Sequence, residues 1–389
     1  MPTKYDELRP YATDRQIEYF DAVERENSVA SGCSALGISE RAFYRAIRNI
    51  KRRAAAAGYS PDHDLTHPVP DGFLLKGAST LYDQDGLPKQ QWVKSVIDPQ
   101  RQEALLQEAI QALCEDVKPA KPVKAPAKTM DTLMSVYPVG DHHFGMMSWG
   151  EETGEDYDTS IAEALLIGAV DYLVDAAPAS EQATLILLGD LLHYDSYEAV
   201  TPRNRNLLDS DSRYPKIVNV AMHTVRYCIT RLLRKHEKVG VVVVGGNHDP
   251  SSMVFLRVAL AHLYEREPRV EVDAAPTPFH YVRFGKVLIA THHGDKVKPD
   301  KMPGIIATDR PQDWGETEFR YCYSGHVHHD AVKDFPGVRV ESVRVLPPTD
   351  AWSHAVGYRS GRDMRRIDLH RDFGEVARQT VNPAMLRND

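Results

Sequence analysis

The stretch TLILLGDLLHYD, residues 184–195, carries the reading of this chain. A short, continuous apolar run closed by glycine is the pattern of a strand buried on both faces. The aspartate directly behind it, Asp190, stands where layered α/β domains gather ligands, at the C-terminal end of a strand. The pattern recurs. Apolar runs end near residues 139, 188, 244, 290 and about 324, and each is followed by histidine, aspartate or asparagine. The clusters are VGDHHFG (139–145), LLGDLLH (187–193), VGGNHDP (244–250), THHGD (291–295) and SGHVHH (324–329). Amphipathic segments at roughly 158–177, 214–236 and 252–265 lie between them. The alternation predicts an α/β layered domain, and no internal repeat is visible. A lone strand-end aspartate is often a helix cap, and a lone histidine usually a core or surface residue. Five such clusters on five strands are different, because folding does not require histidine at strand ends.

The bulk properties set limits. The 389 residues imply two or three units. A net charge of −8 gives no general attraction to nucleic acid, so any such binding must come from a local patch. Cys33, Cys114, Cys228 and Cys322 form no CxxC pair, which reads as reduced thiols in a cytoplasmic protein. The N-terminus MPTKYDELRP does not read as a signal peptide. The longest apolar run, VGVVVVGG, falls short of the ~20 residues of a membrane helix, so no membrane partner is expected.

The five clusters resemble, in order, the motifs of the calcineurin-like metallophosphoesterases: D-x-H, G-D, G-N-H-D/E, a histidine before glycine, and G-H-x-H. The likeness runs from residue 131 to about 350. It implies a four-layered α/β/β/α sandwich with two divalent metal ions between the sheets. By that resemblance Asp141, His143 and His328 hold the first metal, Asp190 bridges, and Asn247, His293 and His326 complete the second. Next to two of these stand His142 and His292, which the family spacing leaves to supporting roles. Mixed imidazole, carboxylate and amide donors suit Mn²⁺ first, with Fe, Zn or Mg as alternatives. His248 falls at the family's catalytic position, facing the phosphate or the leaving oxygen. Asp249 is read as a cap for the helix that follows, with Pro250 at its first position.

His193, three residues after the bridging aspartate, separates subfamilies. Phosphoprotein phosphatases of the family carry aspartate there, whereas G-D-x-x-H resembles the SbcD-type nucleases of double-strand-break repair. His193 and His248 would then form a catalytic pair at the scissile phosphate. SbcD-type chains usually begin at the first motif and place a DNA-capping region after the last. This chain has more than a hundred residues in front instead, so a partner ATPase is not implied.

Those leading residues read as a DNA-binding domain at 1–60. Thr13 and Gln16 fit a capping box, SVASGCSAL closes at Gly37, and Ser39 caps ERAFYRAIRNIKRR. Helix, glycine turn and capped helix resemble a helix-turn-helix. On the third helix Phe43, Ile47 and Ile50 share one face, while Arg41, Arg45, Arg48 and Arg52 share another. Residues 72–97 read as a hairpin around Gln-Asp-Gly, and 99–116 as a helix, the two forming a wing or arm over 61–116. VKPAKPVKAPAK reads as a linker at 117–130, followed by a catalytic domain with a C-terminal extension over 131–389. Arg203 and Arg205, in the long loop TPRNRNLLDSDSRYPK, are candidate DNA contacts, and GYRSGRDMRRIDLHR reads as a basic tail.

The leading expectation is therefore a two-metal phosphodiesterase that cuts DNA and is tethered to it by the N-terminal helices. Alternatives are a phosphodiesterase or phosphatase of cyclic or dinucleotides, and a DNA-binding regulator with a vestigial phosphoesterase domain. A homo-oligomer is compatible with the resemblance, and the helix-turn-helix fits a virus-encoded protein in a bacterial host.

Overall fold

A computed structural model describes residues 5–57, 59–60, 73–82, 88–97 and 123–386. The chain divides into two compact units between Ala112 and Leu113. The helix expected at 99–116 and residues 117–122 of the linker lie outside the described residues.

In the first unit, helices α1 (Asp14–Arg25), α2 (Val29–Ala35) and α3 (Glu40–Ala56) start where the capping residues predict. The N–H of Thr13 donates to Gln16 Oε1 at 3.1 Å, and Ser39 Oγ accepts from Ala42 N at 3.2 Å. Phe20, Val23, Cys33, Phe43 and Ile50 are buried, and Tyr5 stacks on Phe20 at 4.9 Å. This sends the opposite face of α3 outward: Arg41, Arg45, Arg48 and Arg52 are exposed and make no ion pair among the described residues. Arg53, at the end of the same helix, is instead tied to Tyr11 O at 2.8 Å and to Gln16. The same unit holds an antiparallel hairpin of β1 (Phe73–Tyr82) and β2 (Pro88–Ile97), as expected.

The second unit is a four-layered α/β/β/α sandwich. One sheet has the order β13-β12-β3-β4-β5-β6, the other β10-β11-β9-β8-β7. In the first, β3 (Met130–Val139), β4 (Ser180–Leu187), β5 (Lys238–Val243) and β6 (Val270–Val272) run parallel. In the second, β8 (Val287–Thr291), β9 (Phe319–Ser324) and β11 (Val338–Ser342) run parallel, flanked by β7 (His280–Phe284) and β10 (Ala331–Phe335).

The apolar run of β4 is continuous because both its faces are covered. Ile186 and Leu188 point to the space between the sheets, where they meet Val287, Ile289, Tyr321 and Tyr323. Leu185 and Leu187 point the other way, to α4 (Thr159–Asp175), α5 (Tyr214–Leu233) and α6 (Pro250–Leu263). Across the second sheet, Leu288, Ala290 and Cys322 meet Met302 and Ile306 of α7 (Met302–Asp309). No helix among the described residues is long and apolar enough to cross a membrane.

One expectation is corrected here. The basic "tail" is structural: β12 (Met364–His370) and β13 (Gly374–Val381) belong to the first sheet, with β12 antiparallel to β3. Arg365 and Arg366 are buried and neutralised. Arg365 pairs with Asp330, Glu341 and Asp363 at 2.7, 3.0 and 3.0 Å, and Arg366 with Asp368 at 2.9 Å. A buried guanidinium needs such partners, so these arginines read inward.

A buried histidine gives the fold a pH dependence. His236 is fully enclosed, its ring nitrogens bonded to Tyr137 Oη at 2.9 Å and Ser180 Oγ at 2.8 Å. Burial pushes its pKa down from 6.5 to about 4. The unfolded chain thus binds a proton between those values that the folded chain refuses, so this stability is complete above pH 6.5 and is lost as pH falls toward 4. Denaturant unfolding of the metal-free protein should show a loss of order 3 kcal/mol from this group across that window. In His236→Gln the dependence should flatten, and an unchanged slope would contradict the assignment.

Candidate metal centre

The strand ends that the sequence singles out come together. Asp141 and His143 follow β3, Asp190 follows β4, Asn247 and His248 follow β5, His293 follows β8, and His326 and His328 follow β9. The first three strands are neighbours in one sheet and the last two in the other, so the clusters face each other across the sandwich. Backbone bonds extend the β3–β4 pairing beyond both strands: His143 N to Asp190 O at 3.0 Å, and Phe144 N to Leu191 O at 2.8 Å.

Two sets of donors form. In one, His328 Nε2 lies 3.2 Å from Asp141 Oδ2 and 3.4 Å from His143 Nε2. In the other, His293 Nε2 lies 2.9 Å from Asn247 Oδ1 and 3.2 Å from Asp190 Oδ2, with His326 within ligand reach. Asp141 Oδ1, 3.5 Å from His293 Nδ1, links the two sets. All seven residues expected to hold metal are brought together.

The arrangement fits divalent cations on three grounds. Asp141 is completely buried, yet among the described residues its Oδ1 has no hydrogen-bond partner, an expensive condition that a bound cation would relieve. Ring nitrogens of different histidines face one another at hydrogen-bond range, which suits lone pairs converging on an ion. Finally, the ligands sit on strained backbone. His143, Asp190, His326 and His328 have φ of 49°, 48°, 70° and 55°. Among the described residues only Asn27 and Arg205 share that left-handed region without being glycine. Non-glycine residues are uncommon there, and such strain gathers at functional sites.

Charge follows the geometry. Burial opposes a proton on His293, but Asp190 and Asp141 outweigh it and hold the imidazole up at about 10. His143 is pushed well below its ordinary value, chiefly by burial. A metal held there would displace a proton from His293, whereas His143 would meet it as a neutral ring.

His193 and His248 are also neighbours. Their rings stack at 5.6 Å with 19° between planes. His248 Nδ1 bonds the His193 carbonyl at 2.8 Å, and because a carbonyl only accepts, Nδ1 carries the proton and Nε2 is left free. His193 is 2% exposed and turns its Nδ1 toward His143 Nδ1 at 3.3 Å. Burial drives its pKa down to about 3, so it stands neutral. Both supporting histidines are buried as well: His142 Nε2 donates to Ala162 O at 2.9 Å, and His292 packs on Phe279.

Asp249 is corrected. It occupies the cap position of α6, but its carboxylate is turned away from that helix. It accepts from the N–H groups of Asp190, Leu192 and Gly246 at 3.2, 3.0 and 3.0 Å, fastening the loop after β4 to the loop after β5. Asp195 supplies the cap instead, accepting from Ser251 N and Ser252 N at 2.7 Å each. Sequence reasoning missed both roles, although Asp195 closes the very stretch that carries Asp190 and His193. Among the candidate DNA contacts of the long loop, Arg203 is exposed, whereas Arg205 is paired with Glu198.

No family model matches the sequence, and no curated protein matches it. Solved structures do align with it. An archaeal phosphodiesterase aligns at 12% identity over 64% of this chain and 99% of its own, with a TM-score of 0.33. A dimetal phosphatase from Danio rerio aligns at 12% identity over 65% of this chain and 99% of its own, TM-score 0.33. Zinc-bound Vps29 from Entamoeba histolytica aligns at 12% identity over 64% and 99%, TM-score 0.26. Likeness at this level says nothing about what this chain acts on.

Gly246 has no room for a side chain: a Cβ there would stand 2.0 Å from Asp190 Oδ1. Gly246→Ala should therefore displace Asp190 and lower metal affinity about 10–100-fold, as loss of a supporting contact does elsewhere, while circular dichroism stays native. Wild-type affinity in that variant would remove Asp190 from the ligand set.

Proposed function

We propose that this protein is a metal-dependent phosphoesterase, that its substrate is a phosphodiester of DNA, and that the N-terminal unit tethers it there. The convergence of the Asp141, His143 and His328 donors beside those of Asp190, Asn247, His293 and His326 carries the phosphoesterase reading. Two bound divalent cations lower the pKa of water, orient the phosphate and take up charge on its oxygens. Mn²⁺ is the proposed ion, since mixed nitrogen and oxygen donors suit it, as they do Fe or Zn.

The chain's own part is to position and to move one proton. Asp249 holds the loops that carry Asp190 and Asn247. The His193 carbonyl fixes the tautomer of His248, so that Nε2 is the atom turned to the substrate. With both ring nitrogens protonated, His248 donates its Nε2 proton to the phosphate or the leaving oxygen and keeps the Nδ1 proton on the His193 carbonyl, a role typically worth 10²–10⁴-fold. His193, neutral and enclosed, acts through its neighbours: it supports the His248 ring and orients His143 from the side opposite His328.

The DNA reading is supported by the arginine face of α3, exposed and without an ion pair among the described residues, on a chain of net charge −8. A basic stripe on the third helix of a capped trihelical unit suits phosphate and major-groove contact.

Three outcomes follow. Asp190→Asn should abolish hydrolysis of labelled DNA in Mn²⁺ with DNA affinity nearly unchanged; full activity would refute the two-metal reading. His248→Ala should lower kcat about 10²–10⁴-fold at unchanged metal content, whereas His193→Ala should weaken metal binding as well. Equal effects of the two on metal affinity would contradict the division of labour. Arg45→Ala with Arg48→Ala should weaken DNA binding and reduce the slope of log K against log salt by about 2. Unchanged affinity would remove the tether.

A further inference from the structure

The wall beside His143 is built from two short segments clamped together. Met146 N bonds back to His143 O at 2.9 Å, so the chain turns directly behind the ligand, and Trp149 follows three residues later. Ser148 exchanges backbone bonds with Tyr157 at 2.9 Å each way, and the Tyr157 hydroxyl donates to His142 O at 2.7 Å. The Ser148 hydroxyl also donates to Thr349 O at 3.0 Å, and helix 150–153 packs on helix 351–355. Asp350 caps the latter helix through Ser353 N at 2.8 Å. Its charge reaches the site, opposing the burial that lowers the His193 pKa.

This clamp displays large rings to solvent. Trp149 is 59% exposed, Trp352 66% and Tyr358 51%. Trp352 and Tyr358 lie 6.2 Å apart at 39°. Nearby, the exposed Arg359 is held by the carbonyls of His354 and Tyr358 at 3.0 and 2.7 Å and has no acidic partner among the described residues. Exposed tryptophans held on rigid mounts, next to an unpaired guanidinium, match the pairing of ring and cation by which proteins hold unstacked nucleic acid: rings for the bases, charge for the backbone.

We propose that Trp149, Trp352 and Tyr358 form a stacking platform at the rim of the metal centre, taking bases that flank the scissile phosphate. This rests on the nucleic-acid reading above and deepens it: the strand is unpaired where it is cut. In a duplex each base already stacks on its neighbours, so a protein ring gains a base only where the strand is single or frayed.

Two oligonucleotides of equal length test this, one with ordinary bases and one with abasic sites throughout its centre. Both carry the same phosphates, so the arginines of α3 contribute equally to each. Anisotropy of the labelled strands with full-length protein in EDTA should show the base-bearing strand bound at least about tenfold more tightly, at about 1–3 kcal/mol per stacked base. Trp352→Ala should erase most of that difference without moving the abasic affinity, and Trp352→Phe should restore it. In Mn²⁺ the base-bearing single strand should be cut faster than its duplex, with the rise falling in KM. Equal binding of both strands by the wild type, or equal loss on both in Trp352→Ala, overturns the platform and leaves the nuclease reading intact. No binding of either strand overturns the nucleic-acid reading and the platform with it.

Discussion

A single buried carboxylate holds the reactive end of this fold together. Asp249 lies between the loops that leave β4 and β5 and binds a backbone N–H from residues 190, 192 and 246. Burial and the charge of Asp190 push the Asp249 pKa up to about 8, and the N–H groups of Leu192 and Gly246 oppose that rise. With those loops fastened, Gly246 lies against Asp190, and Asn247 and His248 face the second sheet. The left-handed backbone at His143, Asp190, His326 and His328 persists because the surrounding packing leaves those residues no alternative. The candidate ligands are thus prepositioned, at the cost of local strain, by a sandwich whose three apolar interiors lie elsewhere.

Much of this was legible beforehand. Runs such as Thr184–Leu188 announce doubly covered strands, and the histidines behind them are unexplained by folding, so an α/β domain with clustered donors could be read directly, while the four-layered order and the choice of seven donors came from the family resemblance. The features that escaped are those in which a residue serves a neighbour distant in sequence. Asp249 looks like a helix cap because it precedes Pro250, and only the third dimension shows Asp195 taking that role. Arg365 looks like part of a basic tail because Asp330 and Glu341 lie far from it along the chain, although Asp363 and Asp368 stand within the tail itself. The strained ligands left no trace, since local sequence does not encode a backbone imposed by tertiary packing.

His193 illustrates the limit from the other side. Its spacing from Asp190 marks it as part of the site, and it does stack against His248. Spacing alone does not say what the ring does. Enclosed, neutral and turned toward His143, it is suited to orienting other groups, which leaves His248 as the group with a free nitrogen. In the proposed function the metal-centre cluster and the α3 arginine face are separate devices, one for chemistry and one for address, and each stands on its own residues.

The central claim is that this constellation holds two ions. Elemental analysis of protein saturated with Mn²⁺ and freed of excess metal tests it most directly. The account predicts two equivalents per chain; one equivalent or none would contradict it.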